Sequence, residues 1–245
     1  MESLELHHWI ALAIAALFTG MAKSGVVGLG MISIPLLAAT FPSRESTGTL
    51  LLLLIFGDVC AVTLYRRHAE WKILLKLFPA AMVGIVIGWR LMAHVDNAEL
   101  RVIIGVIVLV LVGLQTVLRR AGLGVAAAHP AGAATTGILA GISTMMANAA
   151  GPLMALYMLL LKLEKQKFVG TLAWYFFVLN LFKVPFSAGL GLITLDTLKM
   201  DALMIPMVVV GALSGFYLVK IIPQRVFELL VSVLAAAGGI YLIVG

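Results

Sequence analysis

The chain has 245 residues, of which 62% are hydrophobic and only 11% charged, with a formal net charge of +6. Soluble domains contain about 45–50% apolar and about 25% charged residues, so this composition excludes an ordinary water-soluble protein. The apolar residues form blocks of about 20, the length of a helix that crosses ~30 Å of hydrocarbon. They lack the alternation of a barrel strand. The sequence predicts an all-α integral membrane protein with a single transmembrane domain, 1–245.

The first apolar stretch, residues 9–40, is too long for one simple span. Small and polar residues interrupt it near its middle: Lys23, Ser24, Gly25, Gly28 and Gly30. Either half alone is short for a crossing at 1.5 Å per residue. Non-helical backbone at membrane depth is tolerated only against protein or a watery cavity. We therefore expect a broken helix or hairpin whose tip lies inside the membrane.

Further along the chain, simple spans alternate with a second interrupted stretch. Three spans are predicted at 46–65, 73–93 and 101–118, followed by a linker at about 119–130. Residues 131–161 form the second long stretch, which the sequence Asn148-Ala149-Ala150-Gly151-Pro152 interrupts. The last three spans are predicted at 168–188, 202–219 and 226–244. The total is about eight membrane segments, or ten if each hairpin counts as two.

Fixed spacings recur in the two halves of the chain. The following groups match in order: Gly48-Thr49-Leu50 with Asp58 and Gly170-Thr171-Leu172 with Asn180, then Pro79, Gly84 and Gly88 with Pro206, Gly211 and Gly215. The Gly-x-x-x-Gly pairs indicate close helix packing. Repeat one spans about 9–118 and repeat two about 131–244. If each broken segment returns to its starting face, the three further spans make each half cross the membrane an odd number of times. The second half then enters the membrane from the opposite face. The prediction is an inverted-topology repeat, as in many secondary transporters.

The distribution of Lys and Arg tests this topology. With returning broken segments, eleven basic residues share one side: Arg66, Arg67, Lys72, Lys76, Arg119, Arg120, Lys162, Lys165, Lys167, Lys220 and Arg225. Four lie on the other: Arg44, Arg90, Arg101 and Lys199. If each broken segment crossed once, the tally would be six against nine and the bias would vanish. The positive-inside rule thus favours both termini outside the cytoplasm of a bacterial inner membrane. The net charge then indicates basic loops and contact with anionic lipid, not nucleic acid.

Two ionisable residues in the first half fall within predicted membrane segments. Lys23 lies at the first break, where it would neutralise a bound anion or, alternatively, reach an interface by snorkelling. Asp58 lies near the middle of span 46–65. An uncompensated carboxylate there costs on the order of 2.5–3.5 kcal/mol. Asp58 is therefore predicted to carry a coupling proton, or to balance charge by pairing with Lys23 or another cation.

The second half supplies polar residues at matching places. Asn180 and Lys183 lie on one helix face and would line a cavity as a hydrogen-bond donor and a second cation. Interhelical hydrogen bonding, ion pairing or snorkelling are the alternatives. Glycines at the breaks let an anion approach backbone N–H groups at helix N-termini, or pack helices closely. The predicted substrate-binding residues are Lys23, Ser24, Gly25, Gly28, Gly30, Asn148, Gly151, Asn180 and Lys183.

Signals for enzyme chemistry are weak. Ser24 follows Lys23, but neighbours on a helix point about 100° apart. No histidine falls mid-span, and there is no zinc motif or phosphate-binding Walker loop. The sequence predicts a protein that is not an enzyme and needs no metal or cofactor, with an intramembrane hydrolase using Ser24 as the least supported alternative.

Several motifs resemble those of the TauE/SafE family of sulfite and organosulfonate exporters, nearly from end to end. They are the glycine-rich first break ending in Pro35-Leu36, Arg44 through Thr49, Gly137, Gly141, the Gly151-Pro152 break, Thr171, and the region Asn180 to Thr194 with Gly189. The chain departs from the family pattern by having fewer glycines at the first break and alanines around Asn148 at the second.

The resemblance implies a secondary transporter that exports a small sulfur-containing anion, of sulfite, sulfonate or thiosulfate type, by alternating access. Protons or the membrane potential would drive it. A passive anion channel with the same site is the alternative. The implied partners are the anion and membrane lipids. The oligomeric state stays open, with a homodimer among the options.

Overall fold

The structure is a computed structural model that describes residues 5–26, 29–41, 43–92 and 130–223, with isolated positions in 94–109 and 225–244. Within these residues the chain is helical, without any strand. Gly28, most of the predicted span 101–118, the predicted linker 119–130 except its last residue, and much of the predicted span 226–244 lie outside the described residues.

Eight α-helices are described in these ranges. They are α1 Leu6–Ser24, α2 Gly30–Thr40, α3 Ser43–Tyr65, α4 Trp71–Leu91, α5 Pro130–Ala147, α6 Ala150–Leu160, α7 Lys165–Gly189 and α8 Leu195–Ile221. A short 3-10 turn, Arg66–His68, joins α3 to α4. Five helices, namely α1, α3, α4, α7 and α8, are long and apolar enough to cross a membrane. The predicted class, an all-α multi-pass membrane protein, is confirmed.

Both long apolar stretches are broken near the predicted places. Helix α1 ends at Ser24 and α2 begins at Gly30, whereas α5 ends at Ala147 and α6 begins at Ala150. Asn148 has φ of 53°, a left-handed conformation that asparagine adopts more readily than most residues. The returning helices α2 and α6 have 11 residues each, so each spans about 16 Å, roughly half of the hydrocarbon core.

Helix α8 begins well before residue 202, where the sequence placed the start of this span. The reason is a capping box at Thr194: its Oγ1 accepts a hydrogen bond from Thr197 N at 3.1 Å, and Thr197 Oγ1 accepts one from Thr194 N at 2.9 Å. The cap starts the helix at Leu195. Asp201, which the sequence had put just outside the span, therefore lies within the helix.

The Gly-x-x-x-Gly pairs bring helices of the two halves into close contact. Helix α4 lies along α5, and α8 lies along α1. A Cβ atom added at Gly84 would collide with the carbonyl oxygen of Ile138, and one added at Gly211 with that of Leu17. Gly215 meets Met21 in the same way. The predicted packing role of these glycines is confirmed.

One end of the bundle gathers basic residues around the ends of four helices. The Lys167 Nζ atom lies 2.6 Å from Glu70 Oε1, and Lys165 Nζ donates to the Ile222 carbonyl at 2.5 Å. These contacts bring together the ends of α3 and α8 and the starts of α4 and α7. We call this end the basic face, defined by Arg66, Arg67, Lys165, Lys167 and Lys220.

The two broken segments start from opposite faces. The ring of Phe41, just after α2, lies 5.4 Å from that of His8, near the start of α1. The start of α1 and the end of α2 therefore lie at the same end of the bundle. That end is opposite to the basic face, because the carbonyl of Ser24 at the far end of α1 accepts a hydrogen bond from Tyr65. Helix α5 runs parallel to α4, with Gly137 against Leu77 and Gly141 against Ala81, so it begins at the same end of the bundle as α4. Helix α6 ends shortly before Lys165. Both ends of this second segment therefore lie towards the basic face.

Candidate functional site

A buried ion pair joins the first break to α3. Lys23, on the last turn of α1, places Nζ 2.8 Å from Asp58 Oδ1, and the Asp58 side chain is fully buried. Asn180 Nδ2 donates to Asp58 Oδ2 at 2.6 Å. The Lys23 ammonium also lies 4.3 Å from the ring centroid of Phe176. Asp58 therefore has a partner on each oxygen, and the charge of Lys23 is compensated.

A second buried cation lies close by without a carboxylate partner. Lys183, on α7, is 1% exposed. Its Nζ donates to Asn148 Oδ1 at 2.6 Å, to Thr144 Oγ1 at 3.2 Å and to Asn180 Oδ1 at 3.4 Å. All three acceptors are neutral, and no carboxylate of the described ranges forms an ion pair with Lys183. With both lysines and Asp58 ionised, the site has one formal positive charge in excess.

One hydrogen-bonded chain connects the two cations. Asn180 donates to Asp58 and accepts from Lys183, so its amide is oriented from both sides. Asn148, at the second break, accepts from Lys183 and donates through Nδ2 to the Thr47 carbonyl at 3.2 Å. The network thus ties both breaks to α3 and α7, the two helices that cross between them.

Both breaks line one cavity of about 50 Å³. Its walls include Lys23 and Gly30 from the first break, Asn148 and Gly151 from the second, and Asn180 and Phe176 from α7. Because a buried water needs about 10–15 Å³ by this measure, the cavity has room for roughly three waters or one small oxyanion.

The short helices α2 and α6 begin at this cavity. Gly30 is the first residue of α2, and Gly151 is the second of α6. Helix N-termini carry a partial positive charge and unpaired N–H groups, which favour anions. A Cβ atom at Gly151 would meet nothing within 4 Å, so this side of the glycine is open.

The predicted site residues separate into three groups. Lys23, Gly30, Asn148, Gly151 and Asn180 line the cavity, with Lys183 and Asp58 bonded directly behind them. Ser24 is buried outside the lining, and its carbonyl accepts a hydrogen bond from Tyr65 Oη at 2.8 Å. Gly25 packs against α8, where an added Cβ atom would lie 2.7 Å from the Gly215 carbonyl. Gly28 falls outside the described part of the chain.

The sequence reasoning missed two side chains that contact predicted site residues, and it also missed a buried acid elsewhere on α8. Thr144 and Phe176 line the cavity, each four residues before a predicted site residue, Asn148 and Asn180 respectively. Helical i, i+4 spacing could have identified both. Asp201 is buried in α8, and the Thr194 cap was the available signal for its position.

The part of the chain that the structure describes assembles no hydrolytic or metal site. The Lys23 ammonium is engaged by Asp58 rather than by Ser24. Among the described residues no group of three or more His, Cys, Asp or Glu side chains could hold a metal ion.

A multi-pass helical protein with a cationic cavity between two helix breaks belongs to the class of membrane transport proteins. The chain matches the family described as sulfite exporter TauE/SafE over residues 12–242. It belongs to this family, and the resemblance seen in the sequence is confirmed. No curated protein and no solved structure matches the chain significantly.

Proposed function

We propose that the protein is a secondary transporter that exports a small sulfur-containing anion of sulfite, sulfonate or thiosulfate type across the bacterial inner membrane. Membership of the TauE/SafE family supports the substrate class. The observation that carries the proposal is Lys183, a buried lysine that has no carboxylate partner among the described residues and lies beside a cavity that both breaks line.

Charge balance explains how the cavity would hold its substrate. Asp58 compensates Lys23, whereas Lys183 has only neutral acceptors, so a bound anion would restore neutrality. Two unit charges about 4 Å apart attract by about 4 kcal/mol at an effective dielectric constant of ~20. The helix N-termini at Gly30 and Gly151 would add N–H donors. In this arrangement Lys23, Asn148 and Asn180 contact the anion, and Asp58 serves charge balance.

The packing of the helices supports an inverted repeat of residues 9–118 and 131–244. In the repeat, α4 of the first half corresponds to α8 of the second, and α1 corresponds to α5. The pair α4–α5 is therefore equivalent to the pair α8–α1, and both pairs are in close contact through glycines. The equivalent residues Asp58 and Asn180 face each other. Gly48 packs on Leu192, and its counterpart Gly170 packs on His68. This arrangement supports alternating access, in which two related halves rock around a central site.

The positions of the basic residues support an orientation. The residues of the basic face would lie in the cytoplasm, following the positive-inside rule. The start of α1 then lies on the non-cytoplasmic side, and the substrate enters from the basic face.

Flux measurements with purified protein in liposomes test the proposal. Vesicles are loaded with sulfite or thiosulfate, and an imposed proton gradient or membrane potential supplies the driving force. We expect wild-type protein to move the anion against its concentration gradient. Lys183→Met should lose this flux, while Lys199→Met, which removes an exposed lysine on α8, should retain it.

Three other outcomes of the flux measurements would each contradict a different part of the proposal. Flux that runs only downhill under every driving force would support the passive channel instead. Full uphill flux in Lys183→Met would contradict the assigned site, and wild-type vesicles without any flux of these anions would contradict the substrate class.

A further inference from the structure

A second buried carboxyl group lies on α8, outside the site described above. The Asp201 side chain has no exposed surface, and neither Oδ1 nor Oδ2 has a hydrogen-bond partner within the described chain. Asp58, by contrast, has Lys23 and Asn180 as partners. An ionised carboxylate without a partner in apolar surroundings would cost several kcal/mol. The closed packing around Asp201 therefore favours the neutral acid, which holds a proton.

The surroundings of Asp201 connect it to the cavity. Val208, seven residues further along α8 and therefore on the same helix face as Asp201, belongs to a cluster of buried apolar side chains from α1, α2, α3 and α8. We call it the outer cluster: Leu12, Ala15, Ala16, Leu37, Phe41, Leu50, Leu53, Met200 and Val208. Leu50 also lines the cavity. The outer cluster thus lies between the cavity and the face opposite to the basic face, and it would have to separate for the cavity to open there.

Few other titratable groups occur near this interface. Helix α8 packs against α1 and α3. At this end α1 contributes His7 and His8, and the described side chains of α3 contribute none before Asp58. Asp196 and Lys199, on α8 itself, are exposed. Among the described side chains at this interface, Asp201 is therefore the buried acid that opening of the outer cluster would expose to water.

We propose that Asp201 couples opening of the outer cluster to release of a proton: it is protonated while the interface of α8 with α1 and α3 is closed, and it ionises when that interface opens to water. This role rests on the transport function proposed above. On closing, the carboxylate takes one proton from the external water; on opening, it returns it. Acid outside the cell therefore favours the closed interface, and a higher external pH favours the open one.

Two measurements on Asp201→Asn test the proposal, with Asp196→Asn as the matched exposed control on the same helix. The first is the infrared carbonyl band of a protonated carboxyl group at neutral pH. The second is thiosulfate flux from liposomes as a function of external pH, because thiosulfate, unlike sulfite, keeps its charge near neutral pH. A single proton changes the open-to-closed ratio by at most about tenfold per pH unit. We expect wild type and Asp196→Asn to show the band and the pH dependence, and Asp201→Asn to lose both.

The results that overturn the proposal differ from those that overturn transport. An unchanged infrared band in Asp201→Asn would show that Asp201 is not the protonated acid. An unchanged pH dependence of flux would exclude the coupling role while leaving transport intact. Wild-type protein without anion flux would overturn the transport function, and the coupling role with it. Asp201→Leu, which removes both buried oxygens, provides a second neutral variant whose flux must also be independent of pH.

Discussion

The two helix breaks share a geometry but differ in charge. The first carries its own cation, Lys23, and α3 supplies Asp58 to compensate it. The second carries the neutral amide of Asn148, which holds the cation Lys183 of α7. Both lie at the start of an 11-residue helix and line the same cavity. The comparison separates two roles that a buried lysine can have. Lys23 forms an ion pair that stabilises the fold, whereas Lys183 remains available to bind an anion.

The largest effect should follow from breaking the compensated pair at the first break. Lys23→Met leaves Asp58 buried without its cation, which lowers the free energy of unfolding by about 3–5 kcal/mol. The double variant Lys23→Met with Asp58→Asn removes both charges and should recover most of that loss. Thermal unfolding of the purified proteins in detergent measures the difference.

The same double variant also tests whether the Lys23–Asp58 pair and Lys183 have different roles. It leaves the excess charge of Lys183 in place, so it should lose less sulfite affinity than Lys183→Met does. A double variant as unstable as Lys23→Met alone would mean that the pair is not the reason for the instability.

The second effect concerns binding at the second break. Lys183→Met removes the uncompensated charge, and we expect the affinity for sulfite to fall about 10²–10³-fold, or roughly 3–4 kcal/mol. The protein should stay folded, because no buried carboxylate loses its partner. Thermal stabilisation by increasing sulfite concentrations reports the affinity, with Lys199→Met as control. Equal stabilisation of wild type and Lys183→Met would refute the assigned role.

The smallest effect should come from filling space at the start of α6. An added methyl group at Gly151 meets nothing within 4 Å and would project into open space beside the cavity. Gly151→Ala should therefore fold normally but bind sulfite about tenfold more weakly, or roughly 1.4 kcal/mol. Gly189→Ala makes the same change where there is also open space, but away from the cavity. If both variants bound alike, Gly151 would not border the anion.

Much of this arrangement could be predicted from the sequence because the bilayer imposes simple rules. Apolar length identified the spans, and the interruptions at Lys23 and Asn148 identified the breaks. A charged residue within a span is costly enough to be informative on its own, which singled out Asp58 and Lys183.

The remaining features depend on which way side chains face, and hydropathy carries no such information. Gly25 lies beside Lys23 in the chain but packs against α8. Phe176 looked like any other apolar residue, yet it lies against the Lys23 ammonium. Asp201 was misplaced because a threonine cap, rather than the onset of apolar residues, determines where α8 begins.

The close contact of α1 with α8 has a consequence for biosynthesis. Helix α1 is the first described helix to leave the ribosome, but its glycine-lined partner surface, at Gly211 and Gly215, follows roughly 200 residues later. At about 5–20 residues per second, α1 waits roughly 10–40 s for that partner. During this interval Lys23 must be tolerated in a partly assembled membrane intermediate, and Asp58, which lies on α3 and is synthesised long before α8, is available as an early partner. The ion pair that stabilises the finished protein would thus also protect the nascent one.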